Sequence, residues 1–281
     1  MSTSIRDLWV DTAEQVPRHE ARWLCEVAVG LDGEEFHDAL AEPVTERMVA
    51  HLDAMLARYR AGEPLAYVLG RWGFRRLDLA IDRRVLIPRP DTERVVEVVI
   101  ELAGGRAATI ADLGTGSGAI GLALADELPL DGTRVVITDV DPDALDVARA
   151  NLVGLGRAAR NVTVAAGSWF DALEPGDRFD VVVSNPPYVA TGSPLLDPAV
   201  AEWEPTSALL AGPDGLDDIR HLVEHAAVHL ADDGWLVIEI GADQGGAVLD
   251  LLRGAGYRDA DIRQDLGGRD RIAVGRRGSG A

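Results

Sequence analysis

The chain has 281 residues, and hydrophobic and charged residues make up 47% and 26% of it. That is long for one domain and too apolar for a disordered or collagen-like chain. Its 27 basic residues, all arginine, face 47 acidic ones, a net charge of −20. An acidic surface of that kind repels phosphate backbones and anionic lipid, which disfavours a general nucleic-acid or membrane-surface binder.

The first 75 residues read as a helical bundle without strands, with shorter helices over 3–16, 19–30 and 33–40. The fourth is the clearest, since Val44, Met48, Leu52, Leu56 and Tyr59 recur every three or four positions, with Gly62 as a stop. Residues 76–90 read as a linker or a short antiparallel pair: Leu77, Leu79 and Ile81 alternate with polar neighbours, and Val85, Leu86 and Ile87 precede two prolines. From residue 91 to 281 helices and apolar strands alternate. Helices are expected at 91–103, 118–128, 141–153, 215–231 and 243–254, and strands at 108–113, 134–139, 161–165, 179–185 and 234–240. Two closing strands near 257–263 and 270–275 have no helix between them. The fold class that follows is α/β, a doubly wound and mostly parallel sheet with an antiparallel edge hairpin, preceded by a small all-helical domain.

The lone cysteine, Cys25, excludes an internal disulfide and a thiolate metal cluster. The first residues lack a basic segment followed by an apolar run, and no stretch approaches the ~18 apolar residues of a membrane span, so a cytoplasmic protein is expected. His221, His225 and His229 share one helix face, but no carboxylate is seen to converge on them, and no metal site is expected.

Two motifs carry chemistry. In the first, Gly114, Gly116 and Gly118 fall where a strand gives way to a helix, allowing a tight turn and close approach of a ligand to the backbone. Asp139 ends the next strand, where a carboxylate can accept both hydroxyls of an adenosine ribose. Gly114, Gly116 and Ala119 also fit a dinucleotide pattern. Asp112 tilts the reading, because D-x-G-x-G-x-G is the spacing of S-adenosylmethionine-dependent methyltransferases and an acid suits a methionine ammonium better than a pyrophosphate.

The second motif is Asn185-Pro186-Pro187-Tyr188, at the C-terminal mouth of a buried strand. The prolines hold the backbone carbonyls rigidly, Asn185 adds a side-chain acceptor and Tyr188 a flat face. Together they form a pocket for an NH₂ group on a planar system. An amide nitrogen is a poor nucleophile because its lone pair is delocalised. Acceptors at Asn185 and the Pro186 carbonyl would hold both N–H bonds and aim that lone pair at a sulfonium methyl.

The chain resembles the HemK/PrmC-type protein-(glutamine-N5) methyltransferases. The resemblance rests on EPLAYVLG at 63–70, VLIPRPDTE at 85–93, DLGTGSGAIGLALA at 112–125, GSWF at 167–170, SNPPYV at 184–189, EPTSALLAGPDGLDDIR at 204–220 and IEIGADQG at 238–245. It departs in one loop, where Ala211 stands in place of a frequent glycine. The resemblance implies methyl transfer from S-adenosyl-L-methionine, leaving S-adenosyl-L-homocysteine, to the glutamine of the GGQ loop of peptide chain release factors. It implies that Asp112 and the loop Gly114, Thr115, Gly116, Ser117 and Gly118 hold the methionine part of the cofactor, that Asp139 binds the ribose, and that Trp169 packs by the adenine. Asn185 would touch both cofactor and substrate, and Asn185 to Tyr188 would hold the target amide. Arg89 and Glu93 are candidates for orienting the pocket; equally, Asp91 or Thr92 caps the following helix. The helical domain would recognise the release factor body, and a monomer is expected.

The alternatives are a ribosomal-protein glutamine methyltransferase, which the sequence separates poorly, and an amino-methyltransferase acting on adenine. Against the latter, residues 191–218 carry six acids (Asp197, Glu202, Glu204, Asp214, Asp217, Asp218) and no arginine, so DNA is not expected as a partner.

Overall fold

In a computed structural model, which describes residues 3–194 and 196–278, the chain divides into two compact units, Met1–Arg71 and Trp72–Ala281. The first contains α1 (Ile5–Ala13), α2 (Arg18–Val29), α3 (Gly33–Asp38), α4 (Glu46–Arg60) and α5 (Leu65–Leu69). Ser4 and Asp7 form a capping box that starts α1, and Thr45 caps α4 by accepting from the Met48 N–H. The apolar faces close on a core that includes Leu24, Cys25, Phe36, Leu52 and Met55. Arg58 holds the end of this unit, pairing with Glu63 and donating to the carbonyls of Tyr67 at 2.7 Å and Val68 at 3.2 Å.

The break between the units falls inside β1 (Arg71–Phe74). This strand pairs with β2 (Leu77–Ala80), and a two-residue connection makes the pair antiparallel. The run Val85-Leu86-Ile87 is irregular, not a strand, because residues 83–84 turn and Pro88 and Pro90 remove ladder donors.

Next come α6 (Pro90–Leu102), β3 (Thr109–Leu113), α7 (Ala119–Glu127), β4 (Arg134–Asp139), α8 (Pro142–Gly154), β5 (Val162–Ala166), β6 (Phe179–Ser184) and α9 (Pro198–Trp203). The chain continues through α10 (Asp217–His225), β7 (Leu230–Glu239), α11 (Gly245–Gly254), β8 (Arg258–Gln264) and β9 (Asp270–Arg276). The seven-stranded sheet has the order β5-β4-β3-β6-β7-β9-β8. Its first five strands run parallel, while β9 lies antiparallel to both β7 and β8. The chain works outward from β3 to β5 and then returns to lay β6 against the other side of β3. The strand order therefore reverses between β3 and β6, and such a point opens a crevice at the carboxyl ends of the strands.

One element is shorter than its sequence pattern predicts. The helix expected at 215–231 ends at His225, and β7 starts at Leu230 rather than 234. Leu230 already pairs with Phe179, and the register then shifts so that Val181 faces Trp235. The intervening residues bulge out, with Asp233 at a φ of 64°.

Candidate active site

The glycine turn after β3 is built on left-handed backbone: φ is 69° at Gly114, 56° at Gly116 and 86° at Gly118. Side chains below the turn hold it. Asp112 is 1% exposed, and its Oδ2 accepts from the Thr115 hydroxyl at 2.5 Å and the Gly121 N–H at 2.9 Å. Burial pushes its pKa up to about 6. Its Oδ1 has no hydrogen-bond partner among the described residues. Asn151 donates to the Ser117 carbonyl at 2.8 Å and exchanges hydrogen bonds with the backbone of Ala80, tying the turn to β2.

A cleft of about 250 Å³ opens above this turn. Gly114, Thr115, Gly116, Ser117, Asp139, Trp169, Asn185 and Pro187 all line it. Asp139 ends β4 at the cleft, its Oδ2 accepting the Gly116 N–H at 2.9 Å and its Oδ1 the Asp141 N–H at 3.0 Å. Its pKa is raised, chiefly by burial. Trp169 stands in the left-handed region at φ 47°, a strained state for a bulky residue. Its ring lies against Gly114, where an added Cβ would come within 3.2 Å of it. Asp112, Gly118, Pro186 and Tyr188 are not among the lining residues: Asp112 braces the turn, Gly118 caps α7, and the Tyr188 ring packs against the core behind the tetrapeptide.

Asn185 follows β6, across the reversal point from the glycine turn. Its Nδ2 donates to the Thr92 hydroxyl at 3.3 Å, which leaves the side-chain carbonyl as the end available to the cleft. Behind it lies Glu239, the last residue of β7 and 1% exposed. Glu239 accepts a hydrogen bond from the Tyr188 hydroxyl at 3.2 Å, and its other oxygen, Oε2, has no hydrogen-bond partner among the described residues. Burial outweighs the neighbouring hydroxyls and Arg271, and pushes its pKa up to about 7.

The segment before α6 walls the cleft through Leu86 and Pro88, and the first turn of α6 through Thr92. Arg89 and Glu93 are turned to structural contacts: Arg89 pairs with buried Glu204, which also accepts the Ile87 N–H at 3.1 Å, and Glu93 accepts the Arg75 N–H at 3.0 Å. The N-cap of α6 is Arg89, without a side-chain cap bond, and Pro90 opens the helix. Arginines outside residues 191–218 partly neutralise the acids counted there. Arg89 binds Glu204, and Arg220 binds Asp214 and Asp217. Asp218 stays at the cleft.

The sequence reading assigned no role to Thr92 in the site and none to Glu239. A lone acid closing the apolar run Leu236-Val237-Ile238 was a usable signal for the latter. Only two of the three histidines expected on one helix face lie on α10, because it ends at His225: His221 stacks on His225 at 4.3 Å, while His229, beyond the helix, stacks on Phe170 at 4.9 Å.

A Rossmann-like sheet, a D-x-G-x-G-x-G turn and an NPPY tetrapeptide at its reversal point define a methyltransferase. Residues 94–199 match the methyltransferase small domain and residues 11–70 the PrmC N-terminal domain. A release factor glutamine methyltransferase of Vibrio cholerae is 46% identical over 227 residues, 81% of this chain and 78% of that one. Its counterpart in Escherichia coli is 38% identical over 94% of both chains. Among solved structures, a methyltransferase from Pyrococcus furiosus shares the fold, with a TM-score of 0.54 at 18% identity over 80% of this chain and 99% of that one. The chain belongs to the family of release factor glutamine methyltransferases.

Proposed function

We propose that the protein transfers a methyl group from S-adenosylmethionine to the side-chain amide nitrogen of the glutamine in the GGQ loop of a peptide chain release factor. The observation that carries this reading is the orientation of Asn185, amino end pinned on Thr92 and carbonyl end toward the cleft beside the glycine turn. The cleft fits the cofactor. Gly114 leaves the space beside Trp169 that a Cβ would crowd, and the Asp139 carboxylate sits where a ribose diol would be met. Gly114 to Gly118 and Asp112 would hold or brace the methionine end, Asp139 the ribose and Trp169 the adenine. When bound, the cofactor supplies an electrophilic sulfonium methyl.

The rest is the work of this chain's own groups. Asn185 Oδ1 and the Pro186 carbonyl accept the two N–H bonds of the substrate amide and hold its lone pair toward the methyl donor. Asn185 is held by Thr92 before substrate arrives, so little reorganisation of that acceptor is needed at the transition state. The nitrogen turns acidic once methylated and sheds one proton, so no charged base need act first. The helical unit is assigned to recognition of the release factor body. Aspartates 139, 141 and 218 at the cleft favour a protein loop over a phosphate backbone.

The test offers release factor, ribosomal protein and an oligonucleotide side by side with methyl-labelled cofactor. Label is expected on the GGQ glutamine and falls by ~10²–10³-fold in Asn185→Ala, the scale of losing one preorganised contact. Label only on the oligonucleotide overturns the reading.

A further inference from the structure

A side-chain amide has an oxygen that accepts and two hydrogens to give. Gln244, the buried residue just before α11, uses all of them inside the fold. Its Oε1 accepts the Gly241 N–H at 2.8 Å, and its Nε2 donates to the carbonyl of Tyr188 at 3.0 Å and to that of Gly215 at 3.1 Å. A donor faces its oxygen and two acceptors face its nitrogen, so turning the amide over would set like against like.

The two carbonyls belong to segments that run side by side. Tyr188 closes the NPPY tetrapeptide, and Gly215 follows the loop that brings Pro205, Ser207 and Ala208 to the cleft. The approach is close enough to require glycine: a Cβ at Gly215 would lie 2.4 Å from the Tyr188 carbonyl oxygen. Just beyond, the Val189 N–H donates to the Leu209 carbonyl at 2.9 Å and the Ala211 N–H to the Val189 carbonyl at 3.0 Å. Tyr188 is thus held twice, its hydroxyl on Glu239 and its carbonyl on Gln244. At the other end of the tetrapeptide Asn185 is held on Thr92. Between them the rings of Pro186 and Pro187 fix φ, which leaves few torsions by which the Pro186 carbonyl can swing.

We propose that Gln244 is a positioning residue for methyl transfer: by holding the Tyr188 carbonyl, it sets the direction of the Pro186 carbonyl, the second acceptor for the substrate amide. The inference deepens the reading of NPPY as the seat of that amide and rests on it. None of the three Gln244 bonds involves the glycine turn, Asp139 or Trp169, so the effect falls on the methyl acceptor rather than on the cofactor.

The test uses full-length Gln244→Glu and Gln244→Met with release factor and methyl-labelled cofactor, each rate taken relative to wild type at the same pH. Glutamate keeps the acceptor for the Gly241 N–H, but its ionised second oxygen faces two carbonyls; once protonated it gives one hydrogen back. Burial favours that protonation, and so do Asp243 and Asp270, which lie beside Gly241 and Gly245. At alkaline pH kcat of Gln244→Glu is expected to be ~10–100-fold low, up to the scale of an ångström of misplacement, and to recover part of that loss as pH falls. Gln244→Met has no proton to regain, so its kcat is low on the same scale at every pH. In both variants KM for the cofactor stays at the wild-type value. Wild-type kcat in Gln244→Met, a Gln244→Glu ratio that ignores pH, or a cofactor KM that worsens together with kcat overturns the inference, the last because it marks general damage to the fold. A wild-type enzyme that methylates no release factor overturns instead the reading on which the inference rests.

Discussion

Gly121, in the first turn of α7, is a glycine for reasons of space. A Cβ there would sit 2.3 Å from Ile137 Cγ2 and 3.0 Å from Asp112 Oδ2. Carbon pairs pack best at ~3.5–4.0 Å, so α7 and β4 would have to part by about an ångström or more. Both residues are buried, and overpacking of such a site costs ~1–3 kcal/mol. The same displacement strains the 2.9 Å bond from the Gly121 N–H to the Asp112 carboxylate, a charge-assisted contact of ~1.5–3 kcal/mol. Against this, alanine gains at most ~1 kcal/mol of helix propensity. Gly121→Ala should therefore destabilise the 72–281 unit by ~2–4 kcal/mol and lower its melting temperature by roughly 4–16 °C. Gly116→Ala is the control. At φ 56° with nothing within 4 Å, it has only the left-handed backbone to strain, ~1–2 kcal/mol. Paired thermal melts by near-UV circular dichroism decide the matter. A Gly121→Ala protein that melts at or above wild type, or above Gly116→Ala, refutes the steric account.

Removing the partner of the buried Glu204 carboxylate should also be felt. Arg89→Ala is expected to cost ~1–2 kcal/mol, less than the ~3–5 kcal/mol of a fully buried pair because Arg89 is 36% exposed and the Ile87 N–H remains. Faster proteolytic cutting within residues 190–213 would report it, and an unchanged pattern would contradict it. Burial pushes the Cys25 thiol up to about 11, so a thiol reagent should label native protein only at the rate of unfolding, and rapid labelling without denaturant would contradict the packing. Glu239 has a folded pKa of about 7 against 4.5 for a free carboxyl. The folded state binds its proton more tightly, so the stability it contributes is complete below pH 4.5 and is lost as pH rises through about 7. The melting temperature of Glu239→Gln minus that of wild type should grow between those values; a flat difference would show that Glu239 is not the group titrating.

Much of the catalytic unit was legible because it is written locally. Alternation of apolar strands with helices depends on neighbours a few residues apart, as does a run of glycines able to take positive φ between Leu113 and Ala119. The place of Asn185 was legible because a buried apolar run ended there. The early start of β7 was not. Residues 226–231 carry no break in helical pattern, yet 226–228 tighten into a 3-10 turn and pairing with Phe179 takes Leu230 into the sheet. The PRPDTE segment shows the same limit. Its composition offered Arg89 and Glu93 as the chemically active pair, yet both are engaged elsewhere in the fold, and Thr92 meets the catalytic amide.

The sequence by itself determined that a glycine turn ends one strand, an acid the next, and an asparagine-proline tetrapeptide a third. Each is a conformational demand that a few consecutive residues meet alone. Only the tertiary structure decided which groups face each other at those strand ends. Thr92 reaches Asn185 across 93 positions and Tyr188 reaches Glu239 across 51. Both meetings follow from β6 lying between β3 and β7, with Ser184 paired to Leu113 and Ile238. Strand order and register come from burial summed over the whole sheet, so no local pattern records them. It is there that the amide of Asn185 acquires its direction.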